Sequence, residues 1–257
     1  MKIIIITQDE PFYLGKYIGY LFANLPSWAK VSGVVILDPS PFGKPNSFLD
    51  RILKTYTVFG GMFFLRYTLK YIYAKLINPK YQMTNVLSEY KISQIELPRP
   101  NVNAKKSLEF LKSLKPDIII SISANQIFKQ NILALPSLGC LNLHTALLPN
   151  YKGLMPTFWA MKNDEKEIGV SVFIMDEGID TGEIIVQKII PIEPHDSLET
   201  LIGKTKKIGI DAIIESIKLL RSGGYKSTRF PPDSGSYYSF PTRRDVKEFI
   251  NAGKRFW

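Results

Sequence analysis

The chain has 257 residues, enough for one large α/β domain or one domain with a small appendage. Hydrophobic residues make up 45% and charged residues 22%, which excludes wholesale disorder, and 33 Lys and Arg against 23 Asp and Glu give a net charge of +10. One Cys excludes a disulfide framework, and one Cys with two His excludes the common structural zinc sites, which leaves a soluble, intracellular, basic protein with anionic partners.

Residues 2–7 form a β-branched run that predicts a buried parallel strand, and Asp9 and Glu10 just beyond it argue against a signal peptide. A helix over 17–25, a second strand over 33–38 and a Pro-rich turn over 38–45 complete the first βαβ unit. Residues 51–91 read as an aromatic-rich helical insertion. Arg66, Lys70 and Lys75 interrupt its most apolar stretch, 56–76, so a membrane-spanning helix is not expected. A helix packed on the domain is the plainer reading, and a helix lying on a membrane surface is the other.

Residues 92–97 predict a strand, 105–114 a helix, and 117–122 and 139–144 two more strands. A short helix over 156–161 follows, then strands over 168–175 and 183–190. Residues 197–220 predict a long helix, N-capped by Asp196 or Ser197, with Gly223-Gly224 just past its end. The tail from Tyr225 is rich in Pro, Ser and Tyr and predicts short elements at most. Strands alternating with helices predict an α/β fold: an open, mostly parallel sheet with helices on both faces. The expected organisation is one domain over 1–221 and a tail, 222–257, that is not an independent domain.

Charge is unevenly spread. Residues 51–80 hold six basic and no acidic side chains, and 221–257 hold eight basic and three acidic. Residues 151–220 are acidic, with twelve carboxylates against eight cations.

No GxGxxG follows the first strand, and GxSxG and HExxH are absent, so dinucleotide binding, a serine-hydrolase elbow and a zinc-protease site lack support. Asn142 and His144 lie two apart on a predicted strand, so their side chains share one face at the strand's C-terminal end, where open α/β sheets bind ligands. Further on, 175–182 (MDEGIDTG) packs three carboxylates and two glycines into one loop. An amide donor, an imidazole and a carboxylate suit acyl transfer to an amine. Spacing alone leaves a structural, hydrogen-bonded role open for each of these residues.

The segments 116–120 (PDIII), 135–144 (LPSLGCLNLH), 147–153 (LLPNYKG) and 176–182 (DEGIDTG) together resemble the folate-dependent formyltransferase family, most densely over 115–190. The resemblance implies a Rossmann-like sheet and a catalytic trio of Asn142, His144 and Asp180. It implies 10-formyltetrahydrofolate as co-substrate, with no metal. The folate is expected against Ala146, Leu147, Leu148 and Pro149, and against Asp176, Gly178 and Ile179, with the loop 121–128 bordering its pterin. Relatives usually carry Ser where this chain has Ala146, preceded by Thr145. His195 reads as a surface or capping-region residue and Cys140 as core.

The tail is shorter, by roughly fifty residues, than a tRNA-binding barrel requires. A nucleotide-linked amino sugar is therefore the expected acceptor, its diphosphate suited to a basic surface and its base to stacking on Tyr237, Tyr238, Phe240, Trp257, Phe12 or Tyr13. The alternatives are a methionyl-tRNA formyltransferase-like enzyme that binds tRNA through the basic insertion, a formyltetrahydrofolate hydrolase, and a non-catalytic RNA- or membrane-binding module. The expected location is cytoplasmic.

Overall fold

Fully buried Ile3, Ile4, Ile5 and Ile6 make β1 (Lys2–Gln8) an interior strand of the sheet, because residues of alternate parity must find apolar cover on both faces. The structure, a computed structural model, describes residues 1–39 and 48–257. After β1 come α1 (Leu14–Asn24) and β2 (Lys30–Leu37), then α2 (Phe48–Phe59), α3 (Gly61–Ile72), a π-turn (Tyr73–Ile77), a 3-10 turn (Pro79–Tyr81) and α4 (Met83–Glu89). The chain continues through β3 (Gln94–Ile95), α5 (Lys105–Ser113), β4 (Ile118–Ile122), α6 (Gln130–Leu133), β5 (Cys140–His144), β6 (Lys152–Gly153) and α7 (Pro156–Lys162). It ends with β7 (Glu167–Ile174), β8 (Glu183–Pro191), α8 (Leu198–Ser222), β9 (Tyr237–Tyr238) and α9 (Arg243–Asn251).

Seven strands form one sheet in the order β3-β2-β1-β4-β5-β7-β8. The first five are parallel, and β7 and β8 add as an antiparallel pair. This is the mostly parallel, Rossmann-like α/β sheet expected from the alternation of strands and helices. Chain order reverses between β1 and β4, which makes their C-terminal edge the topological switch point. One core layer joins Ile3, Ile5, Ile120, Leu141 and Leu143 to α1 and α8; the other joins Ile4, Ile6, Ile119 and Cys140 to α5 and Phe128. Ser197 caps α8 in a reciprocal capping box with Thr200, and Gly223, at φ 68°, ends it.

Several boundaries differ from the sequence reading. Helix α1 starts at Leu14 because the Glu10 carboxylate accepts the backbone N–H groups of Phe12, Tyr13 and Leu14 at 2.8, 2.9 and 3.1 Å. The insertion is three helices: Gly60, at φ 88°, separates α2 from α3, and Pro79 stands before α4. Of the strand expected over 92–97, only Gln94 and Ile95 pair, with Val34 and Val35. The turn expected over 38–45 lies mostly outside the described residues.

The tail holds more order than its composition suggested. Thr242 and Asp245 form a capping box that starts α9, and Val246, Phe249 and Phe256 join the main core. The Phe249 ring stacks 4.8 Å from Phe158 and lies 4.9 Å from Phe256. Helix α9 is amphipathic but only nine residues long, with Val246 and Phe249 buried, and the partners that hold it are remote in sequence. Replacing the fully buried Phe249 with Ala should destabilise the chain by about 3–5 kcal/mol, read from urea denaturation. Ile250→Ala, at a position 52% exposed, should stay within about 0.5 kcal/mol of the parent.

Candidate active site

Strand β5 sends Leu141 and Leu143 into one core layer and turns Cys140, Asn142 and His144 to the other face. Cys140 is core, as expected: its thiol donates to the Ile132 carbonyl, and burial pushes it up to about 12. Asn142 lies level with Ser121 of β4 and Phe173 of β7, partly exposed, and among the described residues its amide has no protein partner.

His144 stands at the end of β5, its side chain 8% exposed. Its Nε2 lies 2.8 Å from the Tyr151 carbonyl, which can only accept, so Nε2 carries the proton. Nδ1 faces Asp180 Oδ2 at 3.6 Å, a close electrostatic contact longer than a hydrogen bond. The same Oδ2 accepts the Gly153 N–H at 2.8 Å. The loop after β5 therefore returns to grip both groups: one carbonyl fixes the imidazole and one amide fixes the carboxylate. Tyr151 (φ 59°), Gly153 (φ 94°) and Asp180 (φ 53°) all adopt left-handed backbone to do so. A Cβ at Gly153 would lie 2.3 Å from the Tyr238 carbonyl, so only Gly fits there.

The tail holds this loop in place. Strand β9 pairs with β6, the Ser236 hydroxyl accepts the Tyr151 N–H at 2.9 Å, and Lys152 Nζ donates to the Pro232 carbonyl at 2.9 Å. The Tyr238 ring stacks between Tyr151 (5.2 Å) and Trp159 (4.7 Å). Sequence reading did not single out Tyr151, Ser236 or Tyr238 for this support, and no local pattern connects positions some 85 residues apart.

The residues expected to meet folate divide into two groups. Ala146 and Leu148 are buried, so their side chains belong to the core, and their backbone groups are largely taken by protein partners. Ser171 donates to the Ala146 carbonyl and accepts the Leu148 N–H, while Gln187 donates to the Leu148 carbonyl. The Leu147 side chain lies over Gly169, and Pro149 is half-buried. Asp176 and Gly178, by contrast, line an open groove of about 540 Å³ floored by Leu133, Ala134 and Met175. Asp176 Oδ1 accepts from Gly178 N and Thr181 Oγ1, and Oδ2 takes Arg229 at 2.8 Å, a latch from the tail. Ile179 is 45% exposed at the loop's tip. His195 is exposed before α8, where its carbonyl accepts from Arg255.

At the switch point, Lys206 of α8 donates to Ser123 after β4. Loss of hydration raises the Glu10 carboxyl pKa, opposed by its three N–H bonds and by Lys206; it lowers the Lys206 ammonium pKa, opposed by Glu10. Neither residue was singled out from sequence as part of this edge.

The family model described as formyl transferase matches residues 75–217. The chain belongs to the formyl transferase family. Asn142, His144 and Asp180 fall inside the formyl transferase match, whereas α2, α3 and the whole tail fall outside it. A methionyl-tRNA formyltransferase of Kosmotoga olearia is 39% identical over 158 residues, 61% of this chain and 51% of that protein, so the chain spans about half the length of that curated relative. Among solved structures, a phosphoribosylglycinamide formyltransferase from Anaplasma phagocytophilum superposes with a TM-score of 0.63 at 15% identity, covering 93% of this chain and 99% of that one. An N-formyltransferase from Helicobacter canadensis, in complex with folinic acid and dTDP-3-aminofucose, gives 0.56 at 22% identity, covering 95% and 72%.

A thiol pKa near 12 leaves Cys140 protonated and sealed in the core at ordinary pH. Iodoacetamide at mildly alkaline pH should label the native chain at least about tenfold more slowly than the urea-unfolded chain, as read by mass spectrometry.

Proposed function

We propose that the chain transfers a formyl group from 10-formyltetrahydrofolate to a primary amine on a nucleotide-linked amino sugar. The observation that carries the transfer chemistry is His144, pinned at Nε2 by the Tyr151 carbonyl and faced at Nδ1 by Asp180. With Nε2 protonated, Nδ1 is the basic nitrogen, and a proton taken there is stabilised by the carboxylate beside it. The groove lined by Asp176, Gly178, Leu133, Ala134 and Met175 borders the loop that carries Asp180 and offers apolar and polar surface to a heterocyclic donor, though none of the trio is in its lining.

The folate donor supplies the formyl carbon and leaves with the electron pair of the broken C–N bond. Asn142, whose amide has no protein partner among the described residues, donates to the formyl oxygen as negative charge develops there. His144 receives at Nδ1 the proton that the attacking amine releases and passes it to the departing folate nitrogen, which leaves as neutral tetrahydrofolate. Asp180, held by the Gly153 N–H, keeps its carboxylate toward the imidazole.

For the acceptor, the exposed Tyr237 ring lies against Gly153, the residue whose N–H holds Asp180, and offers a stacking plane for a nucleobase at the rim of the trio. Trp257 is also exposed, but Tyr238 and Phe240 pack on other rings, and Phe12 and Tyr13 meet Tyr67 and Lys70. The Helicobacter protein's amino-sugar ligand agrees with this reading. Methionyl-tRNA as acceptor is the second reading, favoured by the 39% identity to the Kosmotoga enzyme.

His144→Ala, Asn142→Ala and Asp180→Ala should each lower kcat/KM for formyl transfer by about 10²–10⁴, while the His144 and Asp180 variants, which lose buried hydrogen bonds, stay folded at a cost of about 1–3 kcal/mol. Retention of most activity by any of the three removes that residue from the chemistry. With 10-formyltetrahydrofolate as donor, formylation of a dTDP- or UDP-linked amino sugar should outpace that of methionyl-tRNA. The reverse order selects the tRNA reading.

A further inference from the structure

Helix α3 is apolar on two sides, and the structure accounts for only one. Its inner face carries Phe63 and Tyr67, whose rings stack on each other, with Phe63 against Phe59 and Phe256 and Tyr67 against Phe12. At about 100° per residue, Met62, Leu65, Leu69 and Ile72 fall within an arc of about 80° on the opposite side. They continue into Leu76 of the π-turn, and α2 adds Leu49 and Leu53. Among these, Leu49, Leu53, Met62, Leu65, Leu69 and Leu76 are between 56% and 77% exposed. A helix apolar on both faces is ordinarily covered on both.

Charge selects the cover. Residues 51–80 carry six cations and no carboxylate; Asp50 precedes them in α2, and Arg66 and Lys70 face Glu199 while Lys75 faces Asp9, so the surface keeps a smaller positive excess. The structure sets the second basic segment beside them: Arg243 of α9 donates to the Thr57 carbonyl, Lys54 lies over the Phe240 ring and Arg66 over Trp257. The aliphatic face thus lies beside cations of the insertion and of the tail, with Tyr56 and Tyr73, each at least half exposed, on the same helices. A second copy would bring two faces of the same, predominantly positive charge together. A nucleic acid would meet the cations but leave the leucines wet. We propose that α2 and α3 form a docking surface for an anionic lipid bilayer, the leucines entering the headgroup–acyl boundary and the cations meeting lipid phosphates. No described helix is long and apolar enough to cross a membrane, so the insertion lies in the interface plane. This docking stands apart from the acceptor assignment and rests on none of its steps.

Vesicle co-sedimentation of the full chain tests it, using phosphatidylcholine with about three parts in ten phosphatidylglycerol against pure phosphatidylcholine. The chain should bind the anionic vesicles at least about tenfold more strongly than the neutral ones. Leu65→Glu with Leu69→Glu should abolish that binding, with circular dichroism and melting temperature unchanged, since neither side chain is buried. The proposal is overturned if the parent chain stays in the supernatant with both vesicles, or if the double variant sediments as the parent does. A dimer seen by light scattering that the variant splits, without vesicle binding by the parent, overturns it in favour of a second copy. Binding to RNA but not to vesicles overturns it in favour of nucleic acid.

Discussion

One hydrogen bond organises the candidate site: His144 Nε2 to the carbonyl of Tyr151, seven residues further along the chain. It decides which ring nitrogen holds a proton and therefore which one is free to take another. Forming it requires the loop to reverse sharply, which places Tyr151 in left-handed backbone at a cost of about 1 kcal/mol. The same reversal delivers the Gly153 N–H to Asp180. Imidazole and carboxylate are thus set by two backbone groups two residues apart, and neither depends on a long, mobile side chain for its orientation.

That reversal is not self-supporting, which explains the tail. Strand β9 pairs with β6 over Lys152 and Gly153, and Tyr238 closes an aromatic stack with Tyr151 and Trp159. Arg229 latches Asp176, on the loop that carries Asp180. Helix α9 then fixes the tail to the core through Val246 and Phe249. A segment that the family match does not reach therefore holds the loop that fixes His144 and the loop that carries Asp180.

The central sheet was legible because a strand buried on both faces must be apolar at every position, as residues 3–6 are. The shared face of Asn142 and His144 followed from the period of two along β5. The approach of Asp180 to His144 did not: the two are far apart in sequence, and the resemblance to known formyltransferases, not spacing, joined them. The tail was illegible for a related reason. Its helix has two inward apolar residues, and its strand is two residues long, so its order comes from distant partners. The insertion's cations misled in another way, since Lys70 pairs with Glu199 and Lys75 with Asp9, both outside the segment. Charge counted along the chain overstates what that surface offers to a partner at those two positions.

The most direct test of this account is the protonation of the His144 ring in solution, read by two-bond ¹⁵N–¹H correlation NMR. The chain has two histidines, so a His195→Gln variant leaves His144 as the only imidazole signal. The account predicts that neutral His144 carries its proton on Nε2, with Nδ1 unprotonated and facing Asp180. A neutral ring protonated on Nδ1 would contradict it, because the nitrogen assigned to receive the amine's proton would already be occupied.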